Sequence, residues 1–115
     1  RYMVGLSYFQ GEGQIQNRPL AFKRFLSSAL DGYSPAQYMT AFMYLDGQDV
    51  ERSVLQGYAW ATLASLGEAD VVPVDELLIV AESQLSHDDM SRANLIVSQC
   101  TTYGMSACKQ GLSAL

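Results

Sequence analysis

A dozen residues near the start of the chain recur almost unchanged 36 residues later: residues 2–13 read YMVGLSYFQGEG and residues 38–49 read YMTAFMYLDGQD. In both copies, apolar or small residues fall at i, i+3, i+4 and i+7, the spacing of one face of an amphipathic helix. A glycine follows each stripe (Gly11 and Gly47), and glycine readily takes the left-handed conformation that ends a helix. Self-similarity at this period indicates stacked helical units.

A second helical pattern follows each copy. An aromatic residue, a small residue and a glycine recur at i, i+4 and i+7, as Phe25, Ala29 and Gly32 and then as Trp60, Ala64 and Gly67. Ser53 precedes the second of these helices, at a position where its side-chain oxygen can accept a hydrogen bond from a free backbone amide. We therefore predict that each unit contains two helices, named here helix A and helix B.

The third copy is degenerate but still apolar in the expected places. Val74, Leu77, Leu78 and Ala81 lie 36 residues after the second helix A stripe. Ser86 then provides an N-cap for a third helix B that should end at Gly104, and residues 105–115 would open a fourth helix A. We predict one all-α domain over residues 1–115 in the order A-B-A-B-A-B-A, with repeats at about 1–34, 35–69 and 70–104 and a partial fourth helix A at 105–115.

Composition limits the classes of partner. Apolar residues make up 49% and charged residues 17% of the chain, which is typical of a globular domain. The net charge is −5 and the seven basic residues are scattered, so we expect no nucleic-acid partner. No window approaches a membrane span. Because the chain begins with Arg1 rather than Met, we expect it to be a fragment or a processed product.

The repeat resembles the Sel1-like repeat family, which is related to tetratricopeptide repeats. The first copy matches the family pattern at Val4, Gly5, Tyr8, Gly11 and Gly13, and the second matches at Ala36, Ala41, Tyr44, Gly47, Ala64 and Gly67. Thr40, Asp49 and Arg24 depart from that pattern. The resemblance implies a right-handed α/α superhelical solenoid that binds other proteins. A stack of this kind presents an extended concave surface.

The two cysteines lie eight residues apart. If one helix ran through both, they would be about 12 Å apart along its axis, which is too far for a disulfide. The repeat register instead places Cys100 near the end of helix B and Cys108 near the start of the next helix A. The C-x7-C spacing resembles the cysteine-containing secreted branch of the family, which implies a Cys100–Cys108 disulfide and a periplasmic or secreted location. Two buried free thiols, compatible with a cytoplasmic location, are the alternative.

A second face of helix A is the predicted partner-binding surface. Related solenoids line their concave groove with the equivalents of Met3, Ser7 and Gln10 in the first copy and of Met39, Met43 and Asp46 in the second. Methionine is flexible and polarisable, which suits adaptable contact with a protein. The alternative is that Met39 and Met43 fill gaps between repeats.

No catalytic, cofactor or metal site is predicted. His87 stands beside Asp88 and Asp89, but adjacent helical positions point in different directions, and a solvated helix start is the better interpretation. We interpret Trp60, Phe22 and Phe25 as core residues. The predicted function is a non-enzymatic scaffold or adaptor that binds a protein or peptide in a bacterial envelope assembly or after secretion. Recognition of a small ligand or short peptide, such as a cell-wall fragment, in the concave groove is the alternative. A bare end of the stack would allow a homodimer.

Overall fold

A computed structural model describes residues 18–47, 50–67 and 74–115. This part of the chain forms six helices and no strand: α1 (Arg18–Leu30), α2 (Ser34–Asp46), α3 (Val54–Leu66), α4 (Val74–Gln84), α5 (His87–Tyr103) and α6 (Met105–Ala114). The first predicted helix A, at residues 2–9, lies outside the described residues. None of the described helices is long and apolar enough to cross a membrane.

Local sequence signals set several of the helix ends. Ser53 Oγ accepts a hydrogen bond from the amide of Gln56 at the start of α3, and Ser86 Oγ accepts one from Asp89 at the start of α5. Both predicted N-caps are therefore confirmed. Glycine residues follow several helix ends, and the structure shows two different reasons why glycine is required there.

Gly32 and Gly104 have φ angles of 92° and 93°, which disfavour any residue with a side chain. Gly67 has a φ of −86°, which any residue can adopt. A Cβ atom at Gly67 would lie 1.8 Å from Ser34 Oγ, so glycine is needed there because α2 begins very close to the end of α3.

Helix α3 is the centre of the molecule. Its buried residues point in every direction around its axis, as expected for a helix that is covered on all sides. Trp60, with 1% of its surface exposed, is the largest fully buried side chain, and the alanines at positions 59, 61 and 64 are completely buried beside it. These small residues let α2, α4 and α5 all pack closely against α3.

The second unit, α2 and α3, is a closely packed helical pair. In the third unit, Leu85 and Ser86 alone separate α4 from α5, and α5 packs against α3 and α6 while touching α4 very little. The described part of α4 runs from Val74 to Gln84. Val74 and Ala81 are buried and Leu77 and Leu78 are partly buried, as the apolar stripe predicts.

Helix α6 folds back towards the first described helix. The thioether Sδ of Met105, at the start of α6, accepts a hydrogen bond from Gln37 Nε2 of α2 at 3.9 Å. At the other end of α6, Gln56 Nε2 donates to the carbonyl oxygen of Leu112. The chain therefore places the end of α6 beside the start of α3, where the two form one wall of a cleft.

Candidate functional site

The structure separates the members of the predicted concave face. Met43 is 1% exposed and packs in a cluster with Ala21 and Phe25 of α1, because α1 covers this side of α2. Met39 is partly buried against the same cluster, and Asp46 is exposed. Met43 thus fills a gap, as the alternative interpretation has it, and a partner could reach Met39 and Asp46 but not Met43.

The remaining predicted members, Met3, Ser7 and Gln10, lie outside the described residues. The face as a binding surface therefore stays a prediction. Ile79 on α4 stands 36 residues after the buried Met43 and is therefore its equivalent in the third copy. It is 68% exposed. Asp75, Glu76 and Glu82 on the same helix are exposed as well.

Several large apolar side chains remain in contact with solvent on the described surface. Their exposed fractions range from 45% to 74%, and they are Tyr33, Leu66, Ile79, Val80, Leu95 and Tyr103. Ile79 and Val80 both lie on α4, on the side turned away from the buried residues Val74 and Ala81. Exposed apolar side chains next to charged ones are typical of protein-binding surfaces when they form a patch.

A cleft of about 510 Å³ lies where the start of α3 meets the end of α6. This volume is within the range typical of ligand sites. Its described lining combines an aromatic pair, the loop before α3, and the last residues of the chain: Phe22, Tyr44, Val50, Glu51, Arg52, Ser53, Gln56, Ser113, Ala114 and Leu115. The rings of Phe22 and Tyr44 meet edge to face with centroids 5.2 Å apart, which fixes both of them.

Arg52 is held in place at this cleft by two hydrogen bonds. Its Nε donates to the carbonyl oxygen of Leu45 at 3.1 Å, and its Nη2 donates to Gln84 Oε1 of α4 at 2.6 Å. Gln56 is 8% exposed and is oriented by its bond to Leu112. The cleft is therefore bordered by polar side chains whose positions are set by three different helices.

The Tyr44 side chain is half-buried at the cleft. Burial raises the pKa of its hydroxyl above the ordinary value of 10.0, because the charged phenolate would lose hydration there. Within the described residues this hydroxyl makes no hydrogen bond to the protein. Tyr44 therefore presents a neutral hydroxyl group at the cleft.

The disulfide implied by the resemblance is present. Cys100 and Cys108 are joined, with their Cα atoms 5.1 Å apart, and the bridge spans the turn at Gly104 between α5 and α6. Cys108 is completely buried and Cys100 is 5% exposed. The bridge ties the fold-back helix α6 to α5, the second helix of the third unit.

The structure also shows where the other residues considered in the sequence analysis lie. His87 is exposed at the start of α5, where Ser86 caps the helix. Over residues 18–47, 50–67 and 74–115, no group of three histidine, cysteine or acidic side chains could hold a metal ion. Trp60 and Phe25 are buried in the core, as predicted, and Phe22 packs partly buried at the cleft.

Sequence reasoning missed the cleft. It assigned Tyr44 to the repeat pattern alone and gave no role to Arg52 or Gln56. Ser53 as an N-cap was the available signal that a helix starts here. Nothing in the repeat period indicates that α6 returns to this helix, because the contact joins Gln56 to a residue 56 positions later.

Comparison with known proteins agrees with this architecture. Among solved structures, the chain matches the crystal structure of a protective antigen, displaying an SLR fold, that is present in uropathogenic Escherichia coli strains. The TM-score is 0.77 at 25% sequence identity, over 98% of this chain and 23% of that one. The chain thus spans about a quarter of the solved chain, and the likeness confirms the predicted α/α solenoid class. No curated protein shows a significant match.

The sequence model of the Sel1 repeat matches residues 1–33 and 34–67, which together make up more than half of the chain. The second of these matches covers α2 and α3, the closely packed pair at the centre of the fold. This chain belongs to the Sel1 repeat family.

Proposed function

We propose that this domain is a protein-interaction scaffold that receives its partner on the outward face of α4. Sel1-like repeat proteins are commonly interaction scaffolds and are generally non-catalytic, and we infer that this one is not an enzyme. The observation that carries the proposal is the 68% exposure of Ile79 on a helix whose opposite side is buried. Together with the exposed Val80 beside it, this largely exposed apolar side chain favours a partner that covers both.

The charges around Ile79 specify the chemistry of that partner. Asp75, Glu76 and Glu82 are exposed on the same helix, and the whole chain carries a net charge of −5. A complementary segment would offer an apolar anchor flanked by lysine or arginine. Complementary charges of this kind accelerate association and give it a strong dependence on salt.

The second proposal concerns location. The Cys100–Cys108 disulfide is compatible with an oxidising compartment, which supports a periplasmic or secreted protein within or around a bacterial envelope. Thiol titration of protein isolated under alkylating conditions from its native host tests this. A protein without reactive thiols after denaturation supports the proposal, and two reactive thiols contradict it.

Partner capture from an envelope extract tests the scaffold function. Immobilised wild-type domain is compared with the Ile79→Glu variant and with a matched Leu95→Glu variant, in which an equally exposed residue of α5 receives the same charge. We expect Ile79→Glu to lose the captured protein while Leu95→Glu retains it and both variants melt like wild type. Equal capture by all three proteins contradicts the proposed face.

A further variant tests Met39, a partly buried member of the predicted concave face. Helices α2 and α4 pack against each other, so Met39→Glu should weaken capture if the partner extends from α4 onto α2. A homodimer through an end of the stack would appear in the same preparations as a doubled mass by light scattering. Self-association that Ile79→Glu abolishes would identify a second copy of this chain as the partner.

Recognition of a small ligand or peptide is the second candidate function. The 510 Å³ cleft bordered by Tyr44, Arg52 and Gln56 favours it, since ligand sites are commonly concave and contain a few fixed polar groups. Calorimetry with soluble cell-wall fragments distinguishes this candidate from the scaffold. Heat of binding that is unchanged in the Ile79→Glu variant would assign the ligand to the cleft rather than to α4.

A further inference from the structure

The hydrogen-bonding groups of the cleft are incompletely used by the protein itself. Arg52 donates from Nε and from Nη2, and its Nη1 makes no hydrogen bond to the described residues. Ser53 Oγ accepts from the Gln56 amide, which leaves its own proton available. The Tyr44 hydroxyl is uncommitted within the same part of the chain. Three donors therefore border one cleft.

Gln56 supplies a fixed acceptor at the same place. Its Nε2 is committed to the carbonyl oxygen of Leu112, so the orientation of the amide is set and Oε1 is the atom that remains. All buried side-chain polar atoms of the described residues have a partner. Since Oε1 makes no hydrogen bond to those residues, it is not fully buried, and Gln56 lines the cleft although the residue as a whole is only 8% exposed.

The apolar part of the lining complements these groups. Phe22 and Tyr44 present fixed aromatic rings, and Val50 and Leu115 add aliphatic surface. The cleft thus combines hydrogen-bond donors, the acceptor of Gln56 and apolar surface. Glu51 is exposed in the same lining and carries the opposite charge to Arg52, so any anion must be held at the Arg52 side.

We propose that this cleft binds the free C-terminal carboxylate of a peptide whose last side chain is apolar. The carboxylate oxygens accept from Arg52, Ser53 and Tyr44, the last backbone N–H donates to Gln56 Oε1, and the last side chain packs on Phe22 and Val50. A planar guanidinium suits a carboxylate because it offers parallel N–H donors. The neutral Tyr44 hydroxyl can donate without repelling the anion, and the positive end of α3 adds a favourable potential.

This inference rests on the second candidate function, peptide recognition, and names its substrate class. It concerns a different surface from the α4 face. Failure of the cleft to bind peptides leaves the capture experiment on Ile79 unaffected, and failure of that capture leaves the cleft unaffected. The two proposals can therefore be overturned separately.

The experiment compares peptides that differ only at the terminal group. The 115-residue protein is titrated with N-acetyl-Ala-Ala-Ala-Leu and N-acetyl-Ala-Ala-Ala-Phe as free acids and as C-terminal amides, with backbone amide NMR shifts as the readout. We expect the acids to bind at least about tenfold more tightly than the amides, since each charge-assisted hydrogen bond lost has about that effect. The largest shifts should lie at residues 50–56 and around Tyr44.

Matched variants assign the contacts. Tyr44→Phe removes only a hydroxyl and should weaken the acids by about threefold to tenfold with no effect on the amides. Arg52→Gln should weaken the acids by about tenfold or more. Tyr103→Phe and Arg92→Gln make the same changes at exposed positions on α5 and should bind like wild type.

Each other outcome overturns the proposal. Equal affinity for acids and amides, no binding of either acid at millimolar concentration, or shifts centred on α4 instead of the cleft would each do so. Arg52→Gln also removes the hydrogen bond to Gln84 of α4 and could change the structure there. Tyr44→Phe removes no hydrogen bond within the described residues, so its effect on peptide binding can be interpreted without that complication.

Discussion

The second and third units of this solenoid are built from the same kind of sequence but pack differently. Seven residues join α2 to α3, and the two helices lie against each other, with α3 covered on all sides. Two residues join α4 to α5, and these helices barely touch. Helix α5 packs on α3 and α6 instead of on its predecessor.

The consequence is visible at positions that the repeat makes equivalent. Met43 in the second unit is 1% exposed, whereas Ile79, 36 residues later, is 68% exposed. The second unit buries most of its apolar residues in the core. The third leaves several of them on the surface, and a disulfide joins its last helix, α5, to α6. Within one chain, then, the copy closer to the repeat pattern buries the apolar residue at this position and the degenerate copy exposes it.

The largest expected difference comes from placing a charge at these two equivalent positions. Met43→Glu buries an unpaired carboxylate among Ala21 and Phe25, which should cost more than about 4 kcal/mol and unfold the domain at 25 °C. Ile79→Glu should change the free energy of unfolding by less than about 0.5 kcal/mol. Urea denaturation followed by circular dichroism measures both. Similar stability of the two variants would show that the units do not differ as described.

Overpacking gives the next largest effect. Ala41 and Ala64 are completely buried between helices, and Ala41→Leu or Ala64→Leu should each destabilise the domain by about 1 to 3 kcal/mol because a closely packed core has no space for the added atoms. The matched control is Ala107→Leu on α6, where the side chain is exposed. Melting temperatures unchanged at all three positions would count against the helix packing of the second unit.

Removing the disulfide tests how the third unit is held. A Cys100→Ser and Cys108→Ser double variant should lose about 2 kcal/mol, mainly because the unfolded chain regains freedom. Hydrogen exchange should show the loss of protection concentrated in α6 and the end of α5, with α2 and α3 retaining theirs. Ser106→Ala, an exposed change beside the bridge, is the control. Uniform loss of protection in all helices would show that the two units unfold together.

Much of the second unit could be predicted from sequence. Gly47 ends α2 with a φ of 71°, Ser53 caps α3, and Trp60 is buried, and each follows from a local pattern or from the apolar period. The disulfide followed from the family resemblance. Gly67 belongs to the recurring helix B pattern, but its need for glycine comes from the approach of Ser34, which only the packed structure shows.

The cleft could not be predicted in the same way. It depends on the return of α6 to α3, and the bond from Gln56 to Leu112 joins two residues that no repeat offset relates. The burial of Met43 also depends on how α1 covers α2, since its helical position alone allows either a groove or a core. Local patterns determine where helices begin and end, whereas the candidate site arises from the contacts between distant helices.

The smallest expected effect concerns Tyr44, which belongs to the closely packed second unit and borders the cleft. Burial raises the pKa of its hydroxyl above 10.0, so between that value and the folded-state pKa the unfolded chain releases this proton while the folded chain keeps it. The folded state then binds more protons, and the free energy of unfolding must fall as the pH rises through this window. Below pH 10 the contribution is fully present.

Urea denaturation from about pH 9 to about pH 11 should therefore show a steeper decline in the free energy of unfolding for wild type than for Tyr44→Phe. Tyr103→Phe is the control for the loss of one tyrosine. If wild type and Tyr44→Phe decline in parallel, the Tyr44 hydroxyl is hydrated in the folded protein, and the cleft is more open to water at this point than the packing of Phe22 and Tyr44 indicates.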